Sequence, residues 1–210
     1  MPVTEIVSAT DPKSADKAAF ILNKGGVIVY PTETLYGIGA LASSKEAVER
    51  IFEIKGRPHG KPIPLLIKNL DMLSKIVEST PLASAIAEEY WPGALTIILK
   101  QIAVLPELIT CGTGKIALRI SAHPFLNSLF DLIEEPLTST SANISGDSNI
   151  SDSQELFETF NGKVDLIVDS GKIPESRGST IVDLTLDPPQ VLREGDINPA
   201  ILKEFIDGHS

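Results

Sequence analysis

The chain has 210 residues, 42% of them hydrophobic and 22% charged, the balance of one globular domain rather than of a disordered polymer. Eighteen Lys and Arg against 28 Asp and Glu give a formal net charge of -10, which argues against a protein that coats nucleic acid or anionic membrane, since each phosphate contact needs a cation. One cysteine, Cys111, allows no internal disulfide and no paired-cysteine site, and His59, His123 and His209 are too far apart in sequence for zinc-type spacing.

Short β-branched runs alternate with helical patterns, the signature of an α/β domain. Residues 14–24 carry Ala18, Ala19, Ile21 and Leu22 at helical spacing and stop at Gly25-Gly26; 27–30 then reads as a buried strand. Ser43 and Glu46 form a capping box for a helix bearing Val48, Ile51 and Phe52, ended by Gly56 in the left-handed position. Strands are expected at 63–67, 94–99, 116–120, 166–168, 180–184 and 191–193, and helices at 81–90, 124–133, 152–160 and 198–206. No linker composition or internal repeat interrupts them, so one domain over 1–210 with a mixed sheet is expected. The N-terminus lacks a basic stretch before an apolar run, so no signal peptide is expected. The apolar runs fall far short of the roughly 20 residues that span a bilayer, and the cytoplasm is the expected compartment.

Two motifs mislead. Gly37-Ile38-Gly39-Ala40-Leu41-Ala42 matches a dinucleotide fingerprint, but about 20 positions on, where an acidic residue must hold a ribose, the chain reads Lys55-Gly56-Arg57-Pro58-His59-Gly60-Lys61. Gly112-Thr113-Gly114-Lys115 resembles the end of a phosphate loop, yet Ile109 and Ile116 stand where Gly and Ser or Thr belong. The cationic 55–61 segment, stiffened by Pro58 and Pro62, suits phosphate. Thr32 and Thr34 follow a buried strand directly, where α/β sheets line their ligand crevices. The small polar segment 139–146 can offer hydroxyls and amides to anionic oxygens. Arg119, Arg177 and Arg193 sit singly near strand ends, where a surface salt bridge is the commoner fate of an arginine.

Four segments in this order resemble the YrdC family: Pro31-Thr32-Glu33-Thr34-Leu35-Tyr36-Gly37; Lys55-Gly56-Arg57-Pro58; Ser141-Ala142-Asn143-Ile144-Ser145-Gly146; and Ser179-Thr180-Ile181-Val182-Asp183 with Leu192-Arg193-Glu194-Gly195. The resemblance covers residues of about 14–195 and implies the short, single-domain form of a threonylcarbamoyl-AMP synthase. It implies a twisted mixed sheet flanked by helices around a concave, positively lined cavity. The implied reaction takes L-threonine, bicarbonate or carbon dioxide and ATP with Mg2+ to threonylcarbamoyladenylate and pyrophosphate, for a partner transferase that modifies tRNA beside the anticodon. Direct contact with tRNA is left open. By the same resemblance Lys55 and Arg57 are the catalytic pair. ATP falls to them with Lys115, Ser141, Asn143 and Arg193, and threonine to Thr32, Arg119, Ser139 and Ser179; no residue is named as a metal ligand. The alternatives are a double-stranded RNA or tRNA-binding module and a paralogue with another carbamoyl-type substrate.

Overall fold

A computed structural model describes residues 3–209. In chain order the first third holds β1 (Glu5–Ser8), α1 (Ser14–Asn23), β2 (Ile28–Pro31), β3 (Tyr36–Gly39), α2 (Lys45–Lys55), β4 (Leu65–Leu66) and α3 (Leu70–Ser74). Next come α4 (Pro81–Tyr90), β5 (Leu95–Lys100), α5 (Glu107–Thr110), β6 (Lys115–Arg119), α6 (Pro124–Phe130), β7 (Leu137–Thr138) and β8 (Thr140–Ser141). The last part is α7 (Ser153–Phe160), β9 (Leu166–Asp169), β10 (Thr180–Asp183), β11 (Gln190–Arg193) and α8 (Pro199–Asp207). Among the described residues no helix is long and apolar enough to cross a membrane.

The strands form two mixed sheets where the sequence suggests one. The first has the order β1-β9-β2-β3-β8 and the second β11-β10-β5-β6-β4-β7. β7 and β8 are consecutive in the chain yet belong to different sheets, so the backbone passes from one to the other at Ser139, whose N–H donates to the Pro64 carbonyl at 2.8 Å. Buried β2 and the central strands read as unbroken apolar runs because helices cover them. The strands missed in the sequence have physical reasons to be missed. β1 is a mostly exposed edge, and β3, Tyr-Gly-Ile-Gly, carries two residues depleted in strands. The helix over 45–55 is capped by Ser44, which accepts from the Ala47 N–H, rather than by Ser43. The 63–67 run pairs as strand only at Leu65–Leu66, and the helix from Pro124 ends at Phe130, short of 133.

The glycines of the false dinucleotide motif serve packing. A Cβ on Gly37 would meet the Tyr30 ring at 2.9 Å, and one on Gly39 would lie 1.9 Å from the Thr138 carbonyl oxygen. These close approaches let β2, β3 and β7 converge beneath the opening between the sheets. Gly39→Ala is therefore expected to destabilise the fold by about 3 kcal/mol or more in urea denaturation, since backbone has to move. Gly60→Ala, whose new Cβ meets nothing within 4 Å, is expected to change stability by less than about 0.5 kcal/mol.

Candidate functional site

Helix α2 delivers the cationic segment, and its last residue turns inward. Lys55 is 2% exposed, and its Nζ donates to the carbonyls of Ser141 at 2.5 Å and Asn143 at 2.6 Å, and to Asn143 Oδ1 at 3.3 Å. Burial, with the Arg57 charge beside it, draws the Lys55 ammonium down to a pKa of about 8. Gly56, at φ 58°, reverses the chain, so Arg57 emerges on the other side of the same wall. Its guanidinium is braced by the carbonyls of Lys61 and Pro62 at 3.1 and 2.6 Å and reaches Thr140 Oγ1 at 3.5 Å.

The facing loop is closed on itself. Ser141 donates its hydroxyl hydrogen to Asn143 Oδ1 at 2.5 Å, while the Asn143 amide donates to the carbonyls of Ile144 and Asp147. Lys55 and Asn143 thus stand behind the wall, and Ser141, Ser139 and Arg57 face a cleft of about 560 Å³ between the two sheets. Lys115 lies outside the lining, its ammonium 3.0 Å from the Asp183 carboxylate.

The opposite wall holds Arg193 and Arg119. Arg193 donates to the Ser179 carbonyl through Nε and Nη2 at 2.9 and 2.7 Å and to Ser179 Oγ at 2.8 Å. Ser179 Oγ also lies 2.8 Å from Thr96 Oγ1. Burial and the nearby Arg119 charge push the Arg193 guanidinium below its ordinary pKa. Arg119, 7% exposed, donates to the Gly93 carbonyl at 2.9 Å and Thr34 Oγ1 at 3.1 Å. Its Nη2 lies 2.6 Å from Glu33 Oε1, an ion pair without hydrogen-bond alignment. Burial alone would raise the Glu33 pKa, but the Arg119 charge and the Ser121 hydroxyl hold it below the usual carboxylate range. Thr32 gives its hydroxyl hydrogen to the Leu35 carbonyl at 2.6 Å and accepts the N–H groups of Thr34 and Leu35, so it braces the turn.

Among the described residues, four arginines (57, 119, 177 and 193) and no carboxylate line the cleft, beside an apolar patch of Leu35, Ile98, Ile181 and Leu192. Three of the four are pre-oriented, which suits the grip of an anion. Among the described residues no group of three His, Cys, Asp or Glu side chains is placed to hold a metal. Thr34, Thr96, Arg177 and Glu33 belong to the site or its support and were absent from the expected ligand set. Thr34 and Arg177 carry a signal in the sequence, but nothing in it says that Thr96 would face the cleft.

A family model described as telomere recombination, under the name Sua5_yciO_yrdC, matches residues 20–195, a span that holds every cleft residue named above. The chain belongs to the Sua5–YciO–YrdC family. It is 39% identical over 181 residues to a threonylcarbamoyl-AMP synthase of Pyrococcus abyssi, covering 86% of this chain and 53% of that protein. A crystal structure of P. abyssi Sua5 complexed with L-threonine superposes with a TM-score of 0.89 at 34% identity, covering 98% of this chain and 61% of that one. The crystal structure of Escherichia coli YciO gives a TM-score of 0.85 at 32% identity, covering 94% and 98%. The chain therefore spans little more than half the length of the P. abyssi synthase and nearly all of YciO. The two-sheet α/β architecture is that of these Sua5 and YciO structures.

Replacing Lys55 by Met keeps the apolar stem and leaves the Ser141 and Asn143 carbonyls without their donor, an expected loss of about 2 kcal/mol or more in chemical denaturation. The folded ammonium titrates near 8 against an ordinary 10.5, so above pH 8 the unfolded chain holds a proton that the folded chain has released. Wild-type stability should therefore gain on that of Lys55→Met as pH rises from 8 to 10.5.

Proposed function

We propose that this chain is a threonylcarbamoyl-AMP synthase, joining L-threonine, bicarbonate or carbon dioxide and ATP into threonylcarbamoyladenylate with release of pyrophosphate. The observation that carries the reading is the cleft: pre-oriented arginines on both walls, no carboxylate, and an apolar patch between them. The Pyrococcus relative's name and the L-threonine in the Sua5 structure support the same reading.

In this mechanism the threonine amine adds to carbon dioxide to give a carbamate and a proton. A carbamate oxygen attacks the α-phosphorus of ATP, and the bond to the bridging oxygen breaks as pyrophosphate leaves with its electron pair. The protein holds two anions together and stabilises the charge that grows on the leaving group. Arg57 and Arg193 take the phosphates from facing walls, with Ser141 on the wall that Lys55 and Asn143 hold from behind. Lys55 is then a positioning residue, and Lys115, tied to Asp183, lies outside the inner group. Arg119, Ser179, Ser139 and Thr32 shape the amino-acid end. No carboxylate in the cleft offers itself to Mg2+, so the ion enters as part of the ATP complex, held by the phosphates.

The adenylate is a reactive mixed anhydride, which calls for a partner transferase that passes the threonylcarbamoyl group to tRNA in the cytoplasm. A second reading rests on the likeness in sequence and fold to E. coli YciO: a paralogue that keeps the cleft and takes another carbamoyl-forming amine.

Pyrophosphate release with Mg2+, ATP and bicarbonate is expected to depend on L-threonine and to stay near background with L-serine. Release indifferent to the amino acid would favour the paralogue. Arg57→Ala is expected to lower turnover by about 100-fold or more, and Ser179→Ala to raise the threonine requirement more than the ATP requirement.

A further inference from the structure

Arg177 differs from the other cleft arginines. The guanidinium of Arg57 is held by the carbonyls of Lys61 and Pro62, that of Arg119 by Gly93 and Thr34, and that of Arg193 by Ser179. Arg177 also lines the cleft, but it is exposed, and among the described residues its guanidinium has no hydrogen bond and no ion pair.

The main chain beneath that side chain is fixed. Asp196 Oδ1 accepts the Arg177 N–H at 2.9 Å, and Oδ2 accepts the Ser176 hydroxyl at 2.5 Å. The Ser176 oxygen accepts the Gly178 N–H at 2.9 Å, and the Asp196 N–H donates to the Gly178 carbonyl at 2.9 Å. Earlier in the same segment the Tyr36 hydroxyl donates to the Gly171 carbonyl at 2.6 Å and accepts the Ser170 N–H at 2.9 Å. The Ile173 N–H donates to the Ser151 carbonyl at 3.1 Å. Asp196 thus gives both its oxygens to the backbone and to Ser176, and neither to the guanidinium. A rigid base carries a free cation at the mouth of the cleft.

Braced and free arginines serve different steps. A braced guanidinium is already oriented for a ligand in place. A free, hydrated one loses side-chain entropy on contact, so it adds little to the hold on a bound molecule. Its charge still acts at a distance: charges at a rim change the rate of association and its salt dependence, whereas desolvated, paired charges govern departure. The net charge of -10 gives such a residue a purpose, because the chain as a whole repels a polyanion on approach.

We propose that Arg177 is a steering residue: it draws the polyanionic substrate to the mouth of the cleft and sets the rate of capture rather than the grip on the bound ligand. This goes beyond the synthase reading and rests on it for the identity of the anion, ATP.

The test is stopped-flow binding of the magnesium complex of N-methylanthraniloyl-ATP, a fluorescent nucleotide, to the whole protein and to three variants at low and high salt. At an ionic strength of about 0.02 M, Arg177→Gln should lower the association rate constant about threefold and Arg177→Glu about tenfold, the scale of one and two unit charges acting on a dianion across roughly 10 Å of water. Arg177→Lys keeps the charge and should stay within about 1.5-fold of wild type. At about 0.5 M salt the four proteins should agree within about 1.5-fold, and the dissociation rate constant should stay within about twofold throughout. A melting curve of each variant verifies that it is folded. Association rates that do not follow the charge at position 177, or differences that survive high salt, overturn the proposal. So does an affinity loss carried mainly by faster dissociation, which would make Arg177 a clamp on the bound ligand. Wild-type protein that binds no nucleotide overturns the synthase reading, and the steering proposal falls with it; nucleotide binding that is indifferent to position 177 overturns the steering proposal alone.

Discussion

A single ammonium group organises the site. Lys55 is a charge taken out of water, and it is tolerable there only because three oxygens of the 141–143 segment replace its hydration. That requirement ties the end of α2 to β8 across 86 residues of sequence. It also fixes the wall on which Ser141 and Thr140 stand, and Thr140 in turn meets Arg57 from the cleft side. The Lys-Gly-Arg triplet thus addresses one wall from both faces, and the left-handed turn at Gly56 lets two adjacent cations diverge. They stay close enough that the Arg57 charge adds to burial in drawing the Lys55 pKa down.

The same economy of charge appears throughout the cleft. A chain of net charge -10 places four arginines around one opening and keeps carboxylates off its lining. Backbone carbonyls do most of the bracing, and these neutral partners leave the guanidinium charge available to a ligand. Of the four, Arg119 carries a full countercharge, from Glu33, which stands behind the lining.

Much of this was legible in the residues. Helix 81–90 is found at those bounds and Gly56 in its left-handed turn, because a proline at the first turn and a glycine past the last turn are local signals. The grouping of Arg57, Arg119, Ser139, Ser141, Ser179 and Arg193 around one cleft is what the family resemblance implies; taken singly, Arg119 and Arg193 carry only the expectation of a surface salt bridge. The burial of Lys55 was only half legible. Its place on the apolar stripe of α2 says that the stem packs, but the acceptors that hold the ammonium inside lie on a segment far along the chain. The Arg119–Glu33 pair has the same origin in long-range contact, since β6 and the turn after β2 meet only once the sheets are assembled. The division into two sheets depends on strands of two residues, β4, β7 and β8, too short to show any periodicity.

The passage of the backbone at Ser139 gives the cleft a mechanical character. Its lining draws Gly37 and Ser141 from the first sheet and Thr96, Ala117 and Arg193 from the second. A molecule lying between them is a cross-brace, and its binding free energy adds to whatever already keeps the two sheets in register. Filling the cleft and stiffening the fold are, in this protein, the same event.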